Sequence, residues 1–189
     1  MNRCSWCLGD DLYIDYHDKE WGVPVRNDKK LFEFLILEGM QAGLSWLTIL
    51  RKRENFRIAF DNFDFNKVAL YDNKKITSLL KNDGIIRNRL KIEAAVINAK
   101  AFIQIRKEFG TFAKYIWQFV NNTPLQNKFK ALKEIPARTT LSDKISKDLK
   151  GRGFKFVGST IIYAHMQATG MVNDHTVDCF RYRQLYSNY

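Results

Sequence analysis

No apolar stretch of this 189-residue chain approaches the roughly 20 residues that span a bilayer, so a helical membrane protein is not expected. Residues 1–25 also lack the basic start and apolar middle of a signal peptide; they carry Asp10, Asp11, Asp15, Asp18 and Glu20 instead. Cysteine is scarce: three, an odd count, which argues against a secreted disulfide framework. Alternating strand patterns are nearly absent, and there is no internal repeat and no low-complexity tract. These absences leave a cytoplasmic soluble protein as the expectation. Disorder is excluded from the other side, because 46% of residues are hydrophobic and 14% aromatic. The length suits one domain, or two small lobes around a shared core.

Acidic residues are outnumbered, 20 against 31 Lys and Arg, and the resulting +11 is unevenly spread. Residues 1–48 balance at −3, residues 74–107 at +7 and residues 128–155 at +6. Two basic segments suggest a polyanion as partner, nucleic acid being the commonest. A solvated basic surface without function stays open on charge alone.

The pattern is helical almost throughout. Asn27 or Asp28 caps a helix through Leu31, Phe34, Leu35 and Glu38, ending near Gly39 to Gly43, and Ser45 caps the next. Short helices are expected over Asn66–Tyr71 and Asn73–Leu80, and a long one over 86–108 with Gly110 beyond it. Thr111–Val120 is another. Residues 121–140, with Pro124 and Pro136, read as the one long connection. Ser142 caps a helix to Leu149, and Ser159–Ala168 is followed by Gly170. The expected fold is all-α, two helical lobes with a cleft between them.

Three groups of residues carry chemistry. Gly151-Arg152-Gly153-Phe154-Lys155-Phe156-Val157-Gly158-Ser159 lies between two helices. Glycines permit a tight turn, free N–H groups open the second helix, and Arg152 and Lys155 supply countercharge, which suits a helix–hairpin–helix grip on one phosphate. An ordinary helix–helix turn is the plain alternative. Cys4, Cys7 and His17 lie near one end, while His175 and Cys179 lie four apart near the other. Two ligands from each end would complete a closed, structural Cys₂His₂ zinc site, yet Cys4 and Cys7 could instead pair and leave His17 out. His165, in an apolar helix, reads as a packed core residue. Glu38 sits on a face with Leu31, Phe34, Leu35 and Ala42, near Trp6, Tyr13, Tyr16, Trp21 and Trp46. A buried carboxylate among large aromatics suits a flat, electron-poor ring; an aromatic core with Glu38 salt-bridged is the alternative.

At these residues the chain resembles the DNA-3-methyladenine glycosylase I family of the helix–hairpin–helix glycosylase superfamily. The resemblance rests on Arg3-Cys4 with Trp6, Tyr16-His17-Asp18, Glu20-Trp21-Gly22-Val23-Pro24, Leu37-Glu38-Gly39 and Gln41-Ala42-Gly43-Leu44-Ser45-Trp46. It continues through Gly84-Ile85-Ile86-Arg87, Arg152-Gly153-Phe154-Lys155-Phe156-Val157-Gly158 and Val172-Asn173-Asp174-His175, covering about residue 3 to Cys179. The resemblance implies a single glycosylase domain over 1–189, with the helix–hairpin–helix at about 142–170. Zinc-binding terminal segments would lie at about 4–17 and 175–179. It implies that Cys4, His17, His175 and Cys179 hold one structural zinc per chain, with no organic cofactor. Glu38, Tyr16 and Trp46 would contact the damaged base, and Trp6, Tyr13 and Trp21 would line its pocket. Arg152, Gly153, Lys155, Gly158 and Ser159 would grip DNA, with Gln41, Gly43 and Leu44 as the wedge.

The implied activity is base excision repair: flipping N3-methyladenine out of alkylated double-stranded DNA, hydrolysing its glycosidic bond, and leaving free 3-methyladenine and an abasic site. The expected protein is a monomer, bacterial, nucleoid-associated through DNA and without a membrane partner. A non-catalytic zinc-stabilised DNA-binding module is the alternative. Many superfamily members carry an Asp within Val-Asp-x-His after the hairpin; here Asn173 holds that place and Asp174 follows. An amide is no general base, so the substrate must need little help: the methylated base is cationic and already a good leaving group.

Overall fold

The computed structural model describes residues 1–186. Its elements are α1 (Asp11–Lys19), α2 (Asp28–Gln41), α3 (Trp46–Ala59), α4 (Phe65–Val68), α5 (Asn73–Lys81) and α6 (Arg89–Phe109). There follow α7 (Phe112–Trp117), β1 (Leu125–Gln126), α8 (Thr140–Gly151), α9 (Ser159–Ala168), β2 (Val172–Asn173) and α10 (Phe180–Tyr186). Among the described residues, no helix is long and apolar enough to cross a membrane.

Short polar side chains start most helices by accepting from their orphan N–H groups. Asn27 caps α2 through Lys30 N at 3.0 Å, and Ser45 caps α3 through Thr48 N at 3.2 Å. Helix α1 was not foreseen; Asp10 caps it, and Tyr16 and His17 are its buried face. Helix α8 starts earlier than its sequence pattern suggests. Thr139 is the cap, Ser142 completes a reciprocal capping box with it, and the helix runs on to Gly151.

Helix α2 is the centre of the molecule. All ten residues from Leu31 to Met40 are buried, and the helix packs against α3, α6, α7 and α9. Each large apolar side chain so buried contributes roughly 1.5–3 kcal/mol. A helix enclosed on every side must also bury its polar residues, and Glu33 and Glu38 are the two acids so placed.

Among the described residues, the one departure from all-α is a two-residue parallel pairing, Leu125 beside Val172 and Gln126 beside Asn173. It ties the long 121–140 connection to the segment after α9. The same segment closes on the N-terminal part. Gly22 N donates to Gln167 O and Val25 N to Thr169 O, each at 3.0 Å. Gly170, at φ +69°, makes that approach possible: a Cβ there would lie 2.4 Å from Pro24 N and 2.6 Å from Gly22 O.

Candidate active site and metal cluster

A cavity of about 320 Å³ opens where α1, α2, α3 and α9 meet the connection. All six residues expected at the base, Glu38, Tyr16, Trp46, Trp6, Tyr13 and Trp21, line it, together with Gln41. The opposite side was not foreseen. It comes from Thr160, Tyr163, Ala164 and Gln167 on α9, and from Leu132, Ile135, Pro136 and Ala137 in the connection. The prolines that marked 121–140 as a loop gave no hint that it walls a site.

Trp6 anchors the aromatic wall edge-on, with ring centroids 4.8 Å from Tyr13 and 5.0 Å from Trp21. Tyr16 and Trp46 are tilted together at 5.6 Å. Among the described residues, neither the Glu38 carboxylate nor the Tyr16 hydroxyl has a hydrogen-bond partner, although both residues are about 3% exposed. The indole N–H groups of Trp6 and Trp46 are also unpartnered. Burial pushes the Glu38 carboxyl up to about 8, and burial together with Glu38 raises Tyr16 well above its ordinary value. The salt-bridged alternative for Glu38 is therefore not what the fold builds. An unpaired buried carboxylate in a cavity is costly unless a ligand completes it.

Behind Trp6 and Trp21 sits the cluster Cys4, His17, His175 and Cys179, all buried, with ligand atoms within 4.8 Å of one another. His17 Nδ1 lies 2.7 Å from Asp18 Oδ1, and His175 Nε2 lies 3.0 Å from Trp21 O. Those outer partners only accept, so each ring spends its proton outward. The two inner nitrogens lie 3.2 Å apart, and with each ring's proton on the outer side both would offer lone pairs to a metal ion. Cys179 Sγ is 3.5 Å from His17 Nε2 and 3.6 Å from His175 Nδ1, and Cys4 Sγ is 3.6 Å from His175 Nδ1. A tetrahedral ion with ordinary zinc bond lengths requires separations of about 3.3 Å between nitrogens and about 3.5 Å between nitrogen and sulfur. The donors thus fit a metal ion. Cys7 is outside the set: its buried thiol donates to Cys4 O at 3.1 Å, and burial pushes it up to about 11. His165 is buried as expected, and burial lowers it to about 4.

The hairpin between α8 and α9 turns at Gly153, φ +91°, with open space where a Cβ would be. Gly158 caps α9 without a side chain, so the first N–H groups of α9 are free for an anion. Ser159 is spoken for by Asp143. Lys155 is exposed and its ammonium has no partner among the described residues, while its backbone is held by Asn98 through bonds of 2.7 and 2.9 Å. Arg152 differs from expectation. Its guanidinium bonds Asp148 at 2.8 Å and Glu108 at 2.6 Å and lies over Phe109 and Tyr115, so its charge is paired within the chain. On the other rim, the turn after α2 leaves Gly43 and Leu44 exposed, with Gly43 at φ +81°. Lys91, absent from the sequence reading, fixes that turn by donating to Met40 O at 2.9 Å and Ala42 O at 2.6 Å.

Comparison with known proteins agrees with this geometry. The family model for methyladenine glycosylase matches residues 6–182. DNA-3-methyladenine glycosylase 1 of Escherichia coli (strain K12) is 52% identical over 182 residues, 96% of this chain and 97% of its own length. A crystal structure of 3-methyladenine DNA glycosylase I superposes with TM-score 0.92 at 49% identity, covering 95% of this chain and 98% of the other. The Staphylococcus aureus enzyme, solved to explain 3-methyladenine recognition, gives TM-score 0.92 at 37% identity over 95% and 96% of the two chains. The chain belongs to the methyladenine glycosylase family.

Proposed function

We propose that this protein is a base-excision-repair glycosylase that removes N3-methyladenine from double-stranded DNA, and that its metal is a structural zinc. The carrying observation is Glu38, unpaired and buried in an aromatic cavity wide enough for a flipped base. In the methylated nucleotide the base is a cation. When the C1′–N9 bond breaks, both bonding electrons go to the base, which departs neutral, and the positive charge moves to the sugar. Water adds there and gives up its proton. The base needs no protonation to leave, which is consistent with a site that offers no general base at Asn173.

That flow of charge assigns roles. The base loses its positive charge as the bond breaks, so a carboxylate touching the base alone acts on binding and selection more than on rate. Glu38 and Tyr16 select the base, while Trp46 stacks on it. Leu44, exposed on the turn that Lys91 holds, fills the gap left in the stack. Lys155 and the free N–H groups of α9 hold a phosphate. Cys4, His17, His175 and Cys179 would hold the zinc, which would supply a cross-link between the two terminal segments and no catalytic water.

Incubation with methylated duplex DNA, followed by chromatography of the released bases, tests the activity. Free 3-methyladenine with matching abasic sites is expected; binding without release would leave the DNA-binding module as the function. Metal analysis should find about one zinc per chain, and Cys179→Ser should lower thermal stability more than it lowers base affinity. Stoichiometric zinc in a chain with both Cys4 and Cys179 replaced would overturn the ligand set.

A further inference from the structure

Directly before the metal ligand His175, Asp174 is 1% exposed and has both carboxylate oxygens occupied. Asn127 Nδ2 donates to Oδ1 at 2.6 Å; Tyr163 Oη at 2.6 Å and Gln167 Nε2 at 2.8 Å donate to Oδ2. Tyr163 and Gln167 line the cavity, and Asn127 belongs to the connection that supplies Leu132, Ile135, Pro136 and Ala137. One buried carboxylate therefore joins two walls of the pocket, both of them missing from the sequence reading.

We propose that Asp174 is a positioning residue for base recognition, setting the polarity that Tyr163 and Gln167 show to a bound base, and is not the group that activates water. The inference rests on the glycosylase reading above. A carboxylate only accepts. The Tyr163 hydroxyl thus spends its single proton on Asp174, and what remains for a ligand is a lone pair. The Gln167 amide is oriented by the same demand, nitrogen toward Asp174, with its carbonyl oxygen left without a partner among the described residues and one N–H to spare. Tyr163 and Gln167 thus each offer a lone pair on this wall, and Glu38 joins them as an acceptor once a cation displaces its proton. Such a lining suits a ring with an amino group and a delocalised positive charge. It opposes a purine with a carbonyl oxygen at the same edge, because two acceptors would face each other with no proton between them. Asp174 itself, enclosed and already holding three donors, has no path to a water at the sugar.

The test compares binding with chemistry in Asp174→Asn. An asparagine that keeps its oxygen toward Tyr163 and Gln167 offers them a neutral acceptor in place of a carboxylate and turns an amide NH2 on the Asn127 donor, so the hold on both side chains weakens. Affinity for free 3-methyladenine should fall about tenfold or more, and preference over 3-methylguanine should narrow by a similar factor. Single-turnover release at saturating methylated DNA should change less. Metal content is measured alongside, because His175 adjoins the substitution. Tyr163→Phe and Gln167→Met, neither beside a metal ligand, should each reduce the preference several-fold while circular dichroism and melting show a folded chain. If Asp174→Asn binds and discriminates like the parent but no longer cleaves, Asp174 is a general base and the proposal is wrong. If Asp174→Asn loses metal or does not fold, the two other variants decide, and unchanged discrimination in both overturns it. A parent protein that neither binds nor releases 3-methyladenine would instead refute the glycosylase reading itself.

Discussion

Helix α2 carries two buried carboxylates, and the fold treats them in opposite ways. Glu33, 9% exposed, accepts from Arg53 Nε at 2.7 Å and from Arg57 Nε and Nη2 at 3.0 and 2.8 Å. Arg53 is itself buried, bonds Glu20 at 2.8 and 3.0 Å, and lies 5.1 Å from the Phe34 ring centroid. Burial alone would push Glu20 up, yet the Arg53 guanidinium holds it below its ordinary value. Glu38, five positions on and more deeply buried at 3%, has no partner and sits at about 8. The contrast separates two uses of a buried acid: paired, it is part of the fold; unpaired at a cavity, it awaits a ligand.

The largest expected effect breaks the paired end. Arg53→Met leaves Glu20 without its main partner and Glu33 with Arg57 alone, and should cost roughly 3–5 kcal/mol, measured by chemical denaturation. A loss below about 1 kcal/mol would mean that the network is not structural and the contrast is false. Any fall in activity should follow the fraction unfolded.

At the unpaired end the sign reverses. Glu38 keeps its proton in the folded state up to about 8, whereas an unfolded glutamate loses it near its ordinary 4.5. Between those values the native state binds more protons than the unfolded one, so stability falls as pH rises, by roughly 3–5 kcal/mol across the window. Glu38→Gln should remove that slope and be the more stable protein at pH 8. It should also bind methylated DNA, in which the base is a cation, about 10–100-fold more weakly, at a cost near 1.4–2.7 kcal/mol, with the single-turnover rate at saturation changed less. Below about pH 8, binding of a cation should release a proton from Glu38, visible as a calorimetric enthalpy that depends on the buffer. A parallel stability slope in parent and mutant would show Glu38 to be ionised and paired after all.

The smallest effects concern the rim. Tyr16→Phe should lower free-base affinity by up to about tenfold, about 1.4 kcal/mol, because the lost hydroxyl has no partner in the protein. Lys155→Ala should weaken binding equally across DNA sequences and reduce the slope of log affinity against log salt by about 0.9. Arg152→Ala should barely change that slope and should instead lower stability, since Glu108 and Asp148 lose their cation. Equal slopes for the two variants would place Arg152 at the phosphate, as its sequence position first suggested.

The helices were legible because periodicity and caps are local properties, and Asn27, Ser45 and Gly110 sit where the chain demands them. The cavity-lining aromatics were legible through Glu38, an acid on an apolar face among them, and through the resemblance built around it. Four residues of the metal cluster could be named, but residue types alone left Cys7 as a rival; the fold settles that by turning its thiol to Cys4 O. The partners of Arg152 were not legible, because a basic residue in a turn looks the same whether it faces solvent or Glu108. The β1–β2 pairing, the Leu132–Ala137 wall and the Asp174 network left no trace, since each depends on the connection meeting a distant segment, as Asn127 meets Asp174 47 positions on.

The sequence by itself determined most of the helices, the apolar face of each, and that Glu38 lies on such a face among aromatics. Those follow from interactions within a turn or two of chain and from the transfer free energy of side chains. Only the tertiary structure decided which buried groups find partners. It paired Glu33 with Arg53 and Arg57, set Arg152 against Glu108 and Asp148, brought His17 Nε2 and His175 Nδ1 to 3.2 Å, and left Glu38 without a partner among the described residues at the cavity. The physical reason is that a hydrogen bond or ion pair depends on positions fixed to within about half an ångström, and long-range packing alone supplies that accuracy.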